Sequence, residues 1–456
     1  MLKKSALVTT ALALTFTGLV AGCGTGGNTS NAGSNSNTQS SNGSNGGSAS
    51  SSTSHTITIW DSESGTMQNM MQTATDNFNK SQKQVTAKIQ FYNDNAYKQK
   101  IQIAMGANNP PDIIFSWGGG TLKTYVDAHK VVNLDSFLKA NPSYKNKFFP
   151  GVWGNVTFNG HVYGVPEGAG TQPELLFYNK AIFRKYHLPV PTTWPQLLSD
   201  VKTLKANGIA PISLGARDQW PDLLWLMYLT DRIGGPSVFN NIINNKPNAW
   251  SNPAVAKAIQ MIQQLIRAGG FENGYAGVSA DSNEDQALLY SGKAAMLLQG
   301  SWIFPSLKSS APQFTSQDLG WTTFPKVPGG KGNPNDLMGN ISTYYSVSSS
   351  SKDISGAEEY LKDVPLNSYE IKTEIQNGVI PPVKGLAGDF KNVPDSNFLT
   401  YVYNKAEKAP VFVTGWDQLL PPSEAQTLLK DLNSVFVLKM TPQQFVKSMN
   451  AAIPKS

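Results

Sequence analysis

The strongest constraint on the fold is an alternation of patterns at the start of the main body of the chain. Thr56-Ile57-Thr58-Ile59-Trp60 is β-rich with period two and reads as a strand. Met67, Met70, Met71, Ala74 and Phe78 then recur at helical spacing. A helix packing its core face explains that stripe better than a soft methionine-lined binding surface. A second strand is predicted near residues 86–91, and a helix carrying Tyr97, Ile101, Ile103 and Met105 after it. Asp112-Ile113-Ile114-Phe115 reads as a buried strand. Strand, helix, strand, helix, strand commits this region to a doubly wound α/β sheet.

The same style continues. Thr193 with Gln196 forms a capping-box signal, Leu197, Leu198, Val201 and Leu204 line the helix, and Gly208 stops it. Residues 211–214 form a short strand. Residues 256–269 form a helix with Ile259, Ile262, Leu265 and Ile266 inward, and Ala295-Met296-Leu297-Leu298 is a buried strand. Helices are expected over 355–361 and 442–452. At 456 residues the chain exceeds one domain of roughly 100–200 residues, so two or more are expected.

The N-terminus is of a different kind. Lys3 and Lys4 precede an apolar run from Ala6 to Val20, the pattern of a secretory signal over residues 1–22. Val20-Ala21-Gly22-Cys23 resembles a bacterial lipobox, and Cys23 is the only cysteine in the chain. Acylation there would anchor the protein to a membrane face. Residues 24–55 are almost entirely Gly, Ser, Asn and Thr, with no Asp, Glu, Lys or Arg. Such sequence cannot bury enough apolar surface to fold and reads as a tether with a span of roughly 30 Å. The lone cysteine excludes a disulfide framework. The net charge of +6, or +4 without Lys3 and Lys4, and the 15% of charged residues point to no nucleic-acid partner.

Catalytic motifs are absent from the sequence. There is no nucleophile elbow, no phosphate loop and no zinc-protease helix. Gly329-Gly330-Lys331-Gly332 lacks the following Ser or Thr and reads as an exposed loop. His55, His129, His161 and His187 are scattered, and the acidic cluster of Asp281, Glu284 and Asp285 reads as a solvated turn rather than a Ca²⁺ cage, so no metal site is expected and no cofactor is implied. Glu63, Glu167, Glu174, Asp218, Asp222 and Asp417 could supply an acid/base pair, but no local pattern pairs any two of them.

The residues that stand out are tryptophans beside polar groups. They occur in Trp60-Asp61-Ser62-Glu63, Ser116-Trp117-Gly118, Arg217-Asp218-Gln219-Trp220, Gly300-Ser301-Trp302 and Gly415-Trp416-Asp417. Four of these five clusters follow predicted strands, where open α/β sheets bind ligands. An indole face suits the C–H face of a pyranose, and neighbouring carboxylates and amides suit its hydroxyls.

Through these residues the chain resembles the extracellular solute-binding proteins of ABC transporters, in the sugar-binding group that includes maltose-binding protein. The resemblance runs over roughly residues 56 to 455. It is carried by Pro111-Asp112-Ile113-Ile114-Phe115, Tyr163-Gly164-Val165-Pro166, Leu176-Phe177-Tyr178-Asn179-Lys180, Gly292-Lys293-Ala294-Ala295-Met296 and Gly378-Val379-Ile380-Pro381-Pro382. It implies an α/β protein of two doubly wound lobes joined by a hinge, the type II periplasmic-binding-protein architecture. Lobe one would be residues 56–168 with 341–382, and lobe two 169–340 with 383–456. The crossings would lie near 167–174, 335–341 and 380–384. The implied ligand-binding residues are Asp61, Ser62, Glu63, Trp117, Gly118, Glu167, Arg217, Trp220, Trp302, Trp416 and Asp417. Three glycines, Gly118 to Gly120, replace polar side chains of maltose-binding protein, either opening room for a larger ligand or shaping the loop.

The expected function is therefore that of a non-catalytic, lipid-anchored monomer on the extracytoplasmic face. It would capture an oligosaccharide by hinge closure and deliver it to the transmembrane subunits of an ABC permease. The alternatives are a secreted glycoside hydrolase or lyase, a binding protein for a polyamine, phosphorylated polyol or peptide, and an adhesion or scaffold lipoprotein.

Overall fold

The computed structural model describes residues 55–168 and 170–454. The predicted signal peptide, Cys23 and the tether up to residue 54 lie outside the described residues. His55, read as the tether's end, instead opens the first strand.

In chain order the strands are β1 (His55–Asp61), β2 (Val85–Phe91), β3 (Ile113–Ser116), β4 (Thr157–Phe158), β5 (His161–Val162), β6 (Val165–Pro166) and β7 (Gln172–Asn179). They continue with β8 (Ala210–Ser213), β9 (Ala294–Gly300), β10 (Leu319–Thr322), β11 (Leu337–Asn340), β12 (Tyr344–Val347) and β13 (Phe412–Val413). Two sheets form the body. The first has the order β2-β1-β3-β12-β6; the second runs β13-β11-β7-β9-β8, with β10 also paired to β7. β1 lies parallel to β2, with Ile57 opposite Ala87, and parallel to β3, with Ile59 opposite Ile113. β12 closes antiparallel on β3, placing Tyr345 opposite Phe115. In the second sheet β8 and β9 are parallel, while β7 runs antiparallel to β9 with Glu174 opposite Gly300.

Local sequence explains most of these elements. β1 alternates, with Ile57 and Ile59 fully buried. β9 is buried along its whole length, as a strand covered on both faces must be. Its Leu297 packs into one core with Phe177, Phe304 and Phe398, while Met296 and Leu298 pack into another with Trp225 and Val435. The helix Trp194–Ala206 has the expected capping box between Thr193 and Gln196. Ile103 is a correction: it sits on the helix Asp94–Gly106 but is 73% exposed, because Tyr97, Ile101, Ala104 and Met105 already make the core face.

The largest difference from the sequence expectation is the helix Trp220–Gly234, whose start reads as a loop. Leu223 to Arg232 are all buried. A helix that is apolar on every side has no 3.6-residue period to detect. Its far end is fixed by Arg232, whose side chain is fully buried and bonds Asp231 Oδ2 at 2.6 Å. The same guanidinium donates to the carbonyls of Asn333 at 3.0 Å, Pro334 at 3.2 Å and Asp336 at 2.9 Å. The glycine loop lies against this end. A Cβ on Gly330 would sit 2.0 Å from Arg232 O, and one on Gly332 2.1 Å from Asp231 O. The loop read as merely exposed is thus one that requires glycine for close backbone approach.

Removing one partner of a buried ion pair leaves the other charge uncompensated. Arg232→Ala is therefore expected to lower stability by about 3–5 kcal/mol in a urea titration. A loss below about 1 kcal/mol would show that the pair does not hold this end of the helix.

Candidate functional site

The carboxyl ends of β1, β3 and β9 and the start of β7 face one cavity of about 160 Å³. Ser62 and Glu63 reach it from the turn after β1, Phe115 and Trp117 from β3, and Trp302 from the turn after β9. Trp220 opens the buried helix, with Gln219 before it at φ +66°, an unfavoured conformation for a residue with a side chain. Trp220 and Trp302 lie edge to face, their centroids 6.0 Å apart. Trp220 Nε1 donates to Asp281 Oδ1 at 3.0 Å, which fixes its ring. The Gly300-Ser301-Trp302 sequence has a steric cause. The indole folds back over Gly300, where a Cβ would come within 1.9 Å of the ring.

A charged partition closes one side. Lys98 Nζ bridges Asp94 Oδ1 at 3.0 Å and Asp417 Oδ2 at 3.3 Å, and lies 4.8 Å from the centre of the Trp117 ring. Burial pulls the Lys98 ammonium toward neutrality, but Asp94 and Asp417 outweigh it and raise its pKa above the ordinary lysine range. On the far side lies a second cavity of about 560 Å³ that shares Phe115, Trp117, Asp417 and Gln418 with the first. Gly118 and Arg217 line this second space rather than the first.

The three glycines have a structural reason. A Cβ on Gly118, which has φ +76°, would stand 2.6 Å from Asn155 O. One on Gly119 would lie 2.7 Å from Gln418 O, and one on Gly120 2.3 Å from Leu420 O. They let two backbones touch, so the loop-shaping reading accounts for them.

Three of the sequence-derived candidates do not reach either cavity. Trp416 is 1% exposed, stacked parallel on Phe239 at 4.5 Å and edge-on to Trp250 at 5.9 Å; it is a core residue. Asp61 is fully buried, accepting from Tyr345 Oη and from Glu63 N at 2.7 Å, so it shapes the turn that presents Glu63. Glu167 is 1% exposed, and its backbone N–H donates to Thr343 O at 3.1 Å. The reading also missed residues. Lys98 and Asp94 gave no signal beyond their i, i+4 spacing, Gln172, Gln299 and Asn340 lie in unremarkable sequence, and Asp281, read as part of a solvated acidic turn, instead lines the cavity. Glu174 was weighed only as a possible acid and a crossing residue. It lines the cavity at 1% exposure, and its Oε2 has no hydrogen-bond partner.

Asp61, Glu63 and Glu167 form an acidic group. Burial raises Asp61 to about 6, against the lowering effect of Tyr345 and the backbone amides. Burial and the neighbouring acids also raise Glu63 and Glu167. A carboxyl whose folded pKa exceeds its unfolded value contributes stability that is complete below the unfolded value, near 4, and lost as pH rises through the folded value. The ligand-free protein is therefore expected to lose stability, on the order of 2 kcal/mol or more, as pH rises from about 4 to about 8, the value to which Glu63 is raised. Melting temperatures across that range check this, and a flat or rising profile would contradict it.

Residues 60–362 match the family described as bacterial extracellular solute-binding protein. The chain is 27% identical over 207 residues to an uncharacterized ABC transporter extracellular-binding protein of Pyrococcus horikoshii, covering 45% of each chain. It is 26% identical over 240 residues to the multiple sugar-binding protein of Streptococcus mutans, covering 52% of this chain and 54% of that one. The chain thus spans about half the length of these curated relatives. A solved structure from work on xylan utilization by Caldanaerobius polysaccharolyticus superposes with a TM-score of 0.79 at 30% identity, covering 88% of this chain and all of that one. The match over 60–362, together with two α/β sheets that share one cavity, leads to a single conclusion: the chain belongs to the bacterial extracellular solute-binding protein family.

Proposed function

We propose that this protein is the substrate-binding component of an ABC importer that captures an extracellular oligosaccharide. Lobe one, residues 56–168 with 341–382, would close on lobe two, residues 169–340 with 383–456. The loaded form would then dock on the permease. Acylation at Cys23 would hold the chain at the extracytoplasmic membrane face.

One observation carries this reading: three indoles, Trp117, Trp220 and Trp302, meet amides and carboxylates from both sheets around one cavity. The indoles supply faces for sugar rings. Gln172, Gln299 and Asn340 supply donors and acceptors for hydroxyls. A ligand touching both sheets binds the closed arrangement better than the open one, and so shifts that equilibrium. Glu63, Asp94, Glu174, Asp281 and Asp417 are at the first cavity, and none of its described lining residues is Lys or Arg. That charge weighs against a phosphorylated polyol. The binding of sugars by the Streptococcus mutans relative, and the connection of the Caldanaerobius structure with xylan, make xylan fragments the first ligands to test.

A thermal-shift panel of xylo-, cello- and malto-oligosaccharides tests the proposal. A ligand at a hundredfold over its Kd stabilises by about 2.7 kcal/mol, and it should be recovered at its original chain length. No shift from any saccharide, or release of shorter products, would refute it. In the same assay Trp302→Ala should weaken binding at least about tenfold while retaining a cooperative melt. Unchanged affinity would remove Trp302 from the site.

A further inference from the structure

The first cavity is small for the ligand class just proposed. Ligand pockets span roughly 300–1,000 Å³, and the first cavity holds about 160 Å³. The second, at about 560 Å³, lies within that range. The two are neighbours along one edge, with Trp117 and Asp417 belonging to both walls. We propose that the binding site continues past Trp117 into this second chamber, which takes further units of a linear, unbranched, neutral carbohydrate chain. The proposal rests on the oligosaccharide reading of the first cavity and extends it to chain length.

The lining of the second chamber has the required chemistry. Tyr97, Trp117 and Tyr125 give it aromatic surface, and Gln99, Gln102 and Thr121 give it neutral donors and acceptors. Its Lys98 is already held by Asp94 and Asp417, while Arg217, 53% exposed, lies 3.7 Å from Asp218. An anionic ligand would compete with the Lys98 pairs, whereas a neutral hydroxylated one need not. Tyr125 is 7% exposed and its Oη has no hydrogen-bond partner, and Gln418 Oε1 on the shared wall is also without one. Buried polar atoms are nearly always paired, so two orphans on one chamber's lining point to hydroxyls supplied from outside. The chambers share Phe115, Trp117, Asp417 and Gln418, so a chain that extends from the first into the second runs along this shared edge, beside the Lys98 pair.

The test is calorimetric titration of the whole protein with a linear series from disaccharide to hexasaccharide. The wild type should gain affinity with length beyond the disaccharide. Thr121→Trp, which fills the second chamber, should leave the disaccharide Kd within about twofold and weaken the hexasaccharide about tenfold or more. Tyr125→Phe keeps the ring and removes only the Oη, so it should weaken the long ligand alone. If the disaccharide binds but affinity is flat with length, or if Thr121→Trp weakens all lengths equally, the second chamber is not a subsite. If no saccharide of any length binds, the oligosaccharide reading falls as well.

Discussion

The cavity depends on three segments of backbone held side by side. Glu167 N donates to Thr343 O at 3.1 Å, and Thr171 N donates to Ile380 O at 2.8 Å. Thr171 Oγ1 adds a bond to Ile341 O at 3.2 Å. These contacts join the stretch between β6 and β7 to the stretch between β11 and β12 and to a third, near Ile380. Gly170, at φ +91°, permits the approach, since a Cβ there would stand 2.2 Å from Ile380 O. Because β6 and β12 belong to the first sheet and β7 and β11 to the second, this small bonded unit sets how the strand ends of both sheets meet.

The electrostatics of the site follow from that geometry. Acids collect where the two sheets face each other, and burial raises Asp61, Glu63, Glu167 and Glu174 above the usual carboxylate range. The Lys98 ammonium is held between Asp94 and Asp417, one on its own helix and one far along the chain. Cavity walls that combine these acids with amides and paired charges present both acceptors and donors to a ligand.

Much of this was legible in the sequence, and the exceptions have physical reasons. The alternation from β1 to β3 was readable because each element has one buried face and hence a period. Trp117, Trp220 and Trp302, which line the cavity, stood out in the sequence because they follow strands or short turns beside polar groups. Trp416 sits in a similar sequence, Gly-Trp-Asp, yet packs against Phe239 and Trp250, partners that no local pattern announces. Its neighbour Asp417 does reach the cavity, so the motif pointed to the right turn and the wrong side chain. Lys98 was invisible because its role comes from a contact with Asp417, 319 positions away. The Trp220–Gly234 helix escaped because burial on all sides erases periodicity.

The most direct measurement is a crystal structure of the protein grown with a linear oligosaccharide at saturating concentration. Sugar rings stacked on Trp302, Trp220 and Trp117, with hydroxyls bonded to side chains from both sheets, are the predicted result. Sugar bound elsewhere, or a cavity holding only solvent, would contradict it.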